Sequence, residues 1–197
     1  MTNDWLYIIA IPEVILPGTI SRMNIPEQNA GRMLVQAHKG KAKLGFVFFD
    51  DQGIVPVGCL CHPLAISYSG DGTVMQMNSR AGRRFQIICM EHDSQGNLKA
   101  HIEFFNDHSW SSTAPNCQNQ DILSELALLS SITPIKLDIS QFHDMNTETL
   151  LFSLLSTQLF TANQRKHALL QKTLFTRLVF VQQHIRKIIG LQKKTNT

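Results

Sequence analysis

Through most of the first hundred residues, apolar and polar positions alternate with a period of two. In the run Ala81–Glu91, Phe85, Ile87 and Cys89 fall on one face and Gln86 on the other. In Leu98–Phe105, Leu98, Ala100, Ile102 and Phe104 stand opposite Lys99, His101 and Glu103. The intervening Asp93-Ser94-Gln95-Gly96-Asn97 supplies a residue tolerant of positive φ and side chains that bond their own backbone. Together these predict a β-hairpin with one buried face. Trp5–Ile11 reads as an earlier strand closed by Pro12, and Val14–Gly18 as an extended segment ended by a Pro-Gly break. Leu44–Phe49 and Ile54–Cys61 flank the turn Asp50–Gly53 as a second hairpin. Ala65–Tyr68 and Thr73–Asn78 flank Ser69–Gly72 as a third. Pro56 has no N–H for a ladder, so its strand is expected at an edge or to begin after it.

Helical spacing appears once early and then dominates the second half. Ala30, Met33, Leu34 and Ala37 predict a helix to about His38, with Asn24 as N-cap candidate; Gly31 within it costs about 1 kcal/mol relative to Ala. Asn106–Gln120 changes to His, Ser, Asn, Thr and Pro and reads as a linker. Beyond it, Ile122, Leu126 and Leu129 mark a helix stopped before Pro134. Leu150, Leu151, Leu154, Leu155 and Leu159 mark another, capped by Asn146 or Thr147. Thr161-Ala162-Asn163-Gln164 has the form of a capping box. Thr173 caps a last helix with Leu174, Leu178, Val181, Ile185 and Ile188 inward, Gly190 as its stop and Lys193–Thr197 as a frayed tail. The predicted class is α+β. A partly closed β pseudo-barrel lobe with one early helix (1–110) precedes a linker (111–120) and a helical lobe with a basic tail (121–197).

Composition narrows the function classes. With 197 residues and 43% hydrophobic content the chain can bury a core. No apolar run is long enough for a membrane span, and Met1–Asp4 lacks the basic start of a signal peptide, so a cytoplasmic protein without a membrane partner is expected. Cys59, Cys61, Cys89 and Cys117 read as small core hydrophobes rather than a disulfide framework. Residues 149–197 carry eight Lys and Arg and no carboxylate, whereas the remainder carries ten bases against fifteen acids. Such asymmetry suits an acidic partner or nucleic acid, or it is the solvated face of helices.

Catalytic chemistry is poorly served. Lys39-Gly40-Lys41 lacks the upstream glycine and following hydroxyl of a phosphate-cradling loop, and no Gly-x-Ser-x-Gly elbow occurs. Cys59-x-Cys61-His62 is the best metal suspect, but its spacing is too tight and no second ligand pair is near, so core cysteines are the better reading and no metal or cofactor is expected. Cys117 as a nucleophile would need a lowered pKa and an oriented base. No two of the eight histidines are four residues apart. Arg83-Arg84 suits bidentate carboxylate or phosphate binding, or else one Arg ties the strand to the helices while the other is solvated. Met23, Met75, Met77 and Trp110 offer adaptable apolar contact, although Met75 and Met77 on one strand face read as core.

Four stretches, in order, resemble the substrate-binding N-terminal domain of the Lon proteases. They are Val14–Gly18 through Ile25-Pro26-Glu27 and Met33-Leu34; Val57-Gly58-Cys59-Leu60-Cys61 through Ile66; the 81–105 hairpin with Gly82, Arg84 and Phe85; and Gln164–Leu170 followed by Arg177-Leu178. Departures occur at Asn29-Ala30, where the family often has Arg-Tyr, at Ala81, where it has glycine, and at Gln171, where it is acidic. The resemblance implies a barrel shaped like the PUA barrel followed by helices. It also implies a stand-alone, non-catalytic module that engages peptides or partly unfolded proteins in quality control, with a Lon-type protease as a further partner. By this resemblance Pro17, Gly18, Glu27, Gly58, Gly82, Arg84, Phe85 and Arg177 are structural. Met23, Arg84, Phe105 and Trp110 are the candidate peptide contacts. The alternative is nucleic-acid binding through the barrel and the basic C-terminal helices.

Overall fold

The computed structural model describes residues 5–68, 74–105, 115–135 and 137–195, with residues 26–30, 32, 115–118, 193 and 195 described by backbone alone. The chain forms two compact units: residues 1–105 with 161–170, and residues 106–160 with 171–197.

The first unit holds six strands: β1 (Trp5–Ile11), β2 (Ile20–Pro26), β3 (Leu44–Asp50), β4 (Gly53–Tyr68), β5 (Val74–His92) and β6 (Leu98–Phe104). Their order is β2-β5-β4-β3-β1-β6, and a further β5–β6 pairing closes five of them into a ring that leaves β2 outside. Closure depends on one parallel pair, β1 with β3, and on β1 running antiparallel to β6. Leu6, Ile8, Val47, Phe85, Ile87, Ala100 and Ile102 fill the interior. Residues of opposite parity, such as Ile9, Leu44, Phe46, Cys59 and Cys61, are buried as well. Helix α1 (Glu27–His38) packs against β2, β3, β4 and β5, and the start of β3, Leu44–Val47, is buried at four consecutive positions as a strand covered on both faces is.

All three predicted hairpins form, but the strands are longer than the alternation indicated. Ile54–Cys61 and Ala65–Tyr68 are parts of β4, and Val74–Asn78 and Ala81–Glu91 merge into β5, Thr73 lying outside the described residues. Bulges between Cys59 and Cys61, and between Pro63 and Ala65, interrupt the periodicity without ending the strand. Pro56 is not at an edge. It lies where the β3–β4 register shifts and just before β4 begins to pair with β5 at Val57, so no ladder bond needs its N–H. Another bulge between Ile87 and Cys89 turns Cys89 outward, correcting its predicted face. Val14–Leu16 is not a strand, and the α1 cap expected at Asn24 is instead mid-strand in β2.

The second unit holds α2 (Pro115–Ile132), a 3-10 turn (Ile139–Phe142), α3 (Thr147–Leu155) and α5 (Leu174–Thr195) around Ile122, Leu126, Leu129, Leu150, Leu154, Leu178, Val181 and Ile185. Pro115–Gln120, expected in the linker, are the first turns of α2, with Pro115 at the helix start where its missing N–H does no harm. Asn146 caps α3 by accepting from the Thr149 N–H at 2.9 Å. Gly190 does not stop α5, which runs to Thr195; Ile189 just before it is buried, and burial outweighs the glycine penalty. Helix α4 (Ala162–Leu170), expected in the helical lobe, belongs with the strands. Its capping box is complete: Gln164 Oε1 accepts from the Thr161 N–H at 2.8 Å and Thr161 Oγ1 from the Gln164 N–H at 3.3 Å.

Candidate peptide-binding surface

Three of the four stretches singled out by sequence, and the helix of the fourth, meet around Arg84 and Phe85. Pro17 and Gly18 occupy the centre of a turn in which Thr19 N–H bonds Leu16 O at 3.2 Å. Gly18 has φ of 80°, as the third residue of a type II turn requires. The turn is fastened to β5 by Gly18 N–H on Ala81 O and Ala81 N–H on Thr19 O, both 2.9 Å. The Cys59 thiol donates to Ile15 O at 3.4 Å. Phe85 lies fully buried over two glycines: a Cβ at Gly45 would sit 2.5 Å from its ring, and one at Gly58 would sit 2.7 Å from the ring and 2.3 Å from Phe46 O. A Cβ at Gly82 would be 2.6 Å from the His62 ring.

Arg84 is 2% exposed and is a structural pin. Its guanidinium donates to Leu169 O of α4 and lies 4.3 Å from the centroid of the Phe105 ring. Neighbouring Arg83 is exposed, 4.6 Å from the Phe104 centroid. Of the two readings of this pair, one anchored and one solvated fits. Arg177 is likewise buried, in the helical unit, donating to Gln171 O at 3.1 Å and lying 4.4 Å over Phe152. Met23 is 7% exposed and paired in register with Met77, itself fully buried. Met23 and Arg84 are therefore both buried. Phe105 is half-buried under Arg84; Trp110 lies outside the described residues, as does the side chain of Glu27.

Accessible features lie elsewhere in the first unit. Among the described residues β2 pairs with β5 alone, and Ile20 at its start is 62% exposed. The outer face of β2 is polar beyond Ile20, with Arg22 donating to Gln76 Oε1 at 2.7 Å. Beside β1 run two hollows of about 290 Å³ each, sharing Tyr7, Gln36 and Lys99. One is completed by Trp5, Lys41 and Lys43, the other by Met33 and the Asp93–Asn97 turn. Pairing of β1 with β6 places Trp5 beside His101 and Tyr7 beside Lys99. The Trp5 and His101 rings are 5.7 Å apart, and Lys99 Nζ is 5.2 Å from the Tyr7 centroid. Sequence reasoning missed this hollow, because only β1–β6 pairing and the return from α1 bring Trp5, Lys43 and Lys99 together. Lys41-Ala42-Lys43 was the one local signal.

Electrostatics separates structural from accessible groups. Burial pushes the Cys61 thiol up to about 12, so it stays protonated and behaves as a core residue. The Lys166 ammonium, bonded to Asp50, holds that carboxyl below the ordinary carboxylate range. Asp93 is held low mainly by the Asn97 side chain at 3.1 Å, aided by the N–H groups of Asn97 and Gln95, both at 2.9 Å. The eight C-terminal bases are divided between the two units. Arg165 and Lys166 belong to the strand unit, Arg177 is buried, and Arg186 pairs with Glu125 at 2.6 Å. No described helix is long and apolar enough to cross a membrane.

A five-strand ring with one strand outside it and a covering helix, continued by a helical unit, defines an α+β pseudo-barrel protein, and its fold is that of Lon N-terminal domains. The crystal structure of a Lon N-terminal domain protein from Xanthomonas campestris is similar over 90% of this chain and 96% of its own, with TM-score 0.67 and 15% identity. The N-terminal domain of the Mycobacterium avium complex Lon protease is similar over 96% of this chain and 98% of its own, with TM-score 0.70 and 14% identity. No family model matches the sequence, and no curated protein matches it.

Proposed function

We propose that this chain is a non-catalytic, Lon-type substrate-binding module that engages peptides or partly unfolded proteins in the cytoplasm, with a Lon-type protease as a candidate partner. The observation that carries the reading is β2, a seven-residue strand left outside an otherwise closed ring. Such an edge accepts an extended segment by main-chain hydrogen bonds that are indifferent to client sequence, and exposed Ile20 offers it an apolar contact. Likeness in fold to a Lon protease N-terminal domain supports the same reading. The alternative, nucleic acid on the C-terminal bases, is less well supported, because Arg177 is buried and Arg186 is paired with Glu125.

The test is binding of a permanently unfolded, near-neutral protein, measured by anisotropy at low and raised salt. Apolar burial and main-chain bonding are little screened, so affinity should hold as salt rises. Ile20→Asp and Trp110→Ala should each weaken it several-fold, and Lys172, Arg186 and Lys187 to Glu should hardly change it. A nucleic-acid binder would instead lose affinity with a log–log salt slope of roughly 0.7–0.9 per phosphate contact. Steeply salt-dependent RNA binding without capture of the unfolded protein refutes the proposal. The purified chain should neither hydrolyse ATP nor degrade casein.

A further inference from the structure

We infer that the open edge of β2 takes an extended client segment with a carboxylate opposite Arg22 and an apolar side chain opposite Ile20. This rests on the peptide-binding reading and gives that site a register and a chemistry. Gly18 N–H bonds Ala81 O, and Ala81 N–H bonds Thr19 O, the pattern of a glycine-first bulge. Alternating from it, the ladder bonds to β5 fall on Ser21, Met23 and Ile25. Ile20, Arg22 and Asn24 therefore turn their N–H and C=O groups to the open edge. Pro26 has the same phase, so the N–H it lacks is one that would face the edge, and no bond to β5 is lost. Side chains follow the same alternation: Met23 and Ile25 are buried, whereas Ile20, Arg22 and Asn24 are exposed. A strand added here bonds the backbone of Ile20, Arg22 and Asn24, and its outward side chains lie beside theirs.

Charge selects the occupant. Paired rows run across β2, β5 and β4 as Ile20–Arg80–His62 and Arg22–Asn78–Ala65, and neither these rows nor the next, at Asn24, holds a carboxylate. Arg22 donates to Gln76 Oε1 at 2.7 Å through one arm of its guanidinium, and the planar fork has further N–H groups to offer a carboxylate. Exposed Arg80 adds positive charge one strand further in. A second copy is a poor occupant. Antiparallel pairing of two β2 edges through all three residues sets one Arg22 opposite the other, and like charges so placed repel. Nucleic acid is poor as well, because it brings no main-chain partners for the edge and these rows offer no aromatic face for stacking. An acidic client strand satisfies both the backbone groups and the charge.

The experiment uses the full chain and the labelled peptide Thr-Val-Thr-Glu-Thr-Val-Thr, with Gln or Lys replacing the central Glu in two others, read by anisotropy at low salt. The Glu peptide should bind about fivefold more tightly than the Gln peptide, the scale of one well-placed exposed ion pair, and the Lys peptide more weakly still. Arg22→Gln should bring the Glu and Gln peptides within about twofold while the Gln peptide is unchanged; the side chain is exposed, so folding is retained. Lys187→Gln, exposed in the other unit, should leave the preference intact. Asn24→Pro removes an edge N–H without touching the β5 ladder, and should weaken all three peptides with an unchanged circular dichroism spectrum. Equal binding of the Glu and Gln peptides, a Glu preference that survives Arg22→Gln, or capture of the unfolded protein alone overturns this inference and leaves the peptide-module reading standing. Failure to bind the peptides and the unfolded protein alike overturns both. A dimer in sedimentation that Asn24→Pro dissociates gives the edge to a second copy and overturns the inference. Displacement of the Glu peptide by a short RNA at lower concentration than by the unlabelled peptide makes phosphate the ligand and does the same.

Discussion

Phe85 is clamped between two glycines in different ways, and this yields a prediction that separates side-chain crowding from backbone crowding. An alanine at Gly45 would press its methyl against the Phe85 ring at 2.5 and 2.7 Å and meet Ile8 Cδ1 at 3.2 Å, all side-chain atoms. An alanine at Gly58 would meet the Phe85 ring at 2.7 Å and also the Phe46 carbonyl oxygen at 2.3 Å, which is backbone in the neighbouring strand. Overpacking a dense core costs about 1–3 kcal/mol, so each substitution alone should destabilise by at least that. Phe85→Leu removes the ring atoms involved and should itself cost about 1–2 kcal/mol, less than the ~3–5 of truncation to alanine. In the Phe85→Leu background, Gly45→Ala should become nearly neutral, a coupling of about 1–2 kcal/mol. Gly58→Ala should keep most of its penalty, because no side-chain change moves the Phe46 carbonyl. Urea unfolding followed by far-UV circular dichroism measures all six proteins, with the transition assigned to the strand unit from the Phe85→Leu shift. The reasoning fails if Phe85→Leu rescues Gly58→Ala as fully as Gly45→Ala, or if it rescues neither.

Arg84→Ala should destabilise the strand unit by about 2–4 kcal/mol, since it leaves a buried carbonyl on Leu169 without its donor and opens a cavity; Arg84→Lys should fall between, keeping a donor but losing the planar stack on Phe105. Thermal unfolding with limited proteolysis of α4 checks both, and unchanged α4 cleavage in Arg84→Ala would contradict the pin. Asp93 has a folded pKa below its ordinary 3.8, so the turn stabilisation it provides is present above that pH and is lost as pH falls through the lower, folded value. An NMR titration of the Asn97 and Gln95 amides should show this, and Asp93→Asn should abolish the acid-linked shift. Of Cys59, Cys61 and Cys89, only exposed Cys89 should label quickly at pH 8 by mass spectrometry, with Cys61 reacting only on unfolding; rapid labelling of Cys61 would show that burial does not hold its thiol near 12.

Signals that act over three or four residues were legible in the sequence. The Thr161–Gln164 box, the Asn146 and Thr173 caps and the Asp93–Asn97 turn each carry their own bonding partner nearby. Faces were legible where alternation is unbroken, as from Leu98 to Phe104. Prediction failed where distant pairing overrides local pattern. Ile20–Pro26 has little strand character of its own and becomes β2 because β5 lies alongside over seven paired residues. The bulge after Ile87 reverses the side to which Cys89 points, and nothing in Ile88 announces it. The adaptability of Met23 suits a contact surface, yet a methionine fills irregular core space as readily as it coats a surface. The lysine-lined hollow needed three separated segments, 5–7, 36–43 and 99, and no local periodicity joins them.

The order in which the strand unit is completed has a consequence for synthesis. Arg84 and its acceptor on Leu169 are 85 residues apart in sequence, although they belong to the same unit. At ~5–20 residues per second, a ribosome adds roughly 4–17 s between the two. Once Phe104 has been added all five strands of the ring exist, but until Leu169 follows the Arg84 guanidinium lacks the carbonyl that accepts its hydrogen bond and α4 is absent from its site. Residues 106–160 must be made first, so the nascent barrel spends those seconds with a charged group and the apolar Leu169-binding surface uncovered. For that time the chain is itself a partly folded protein with part of its core uncovered.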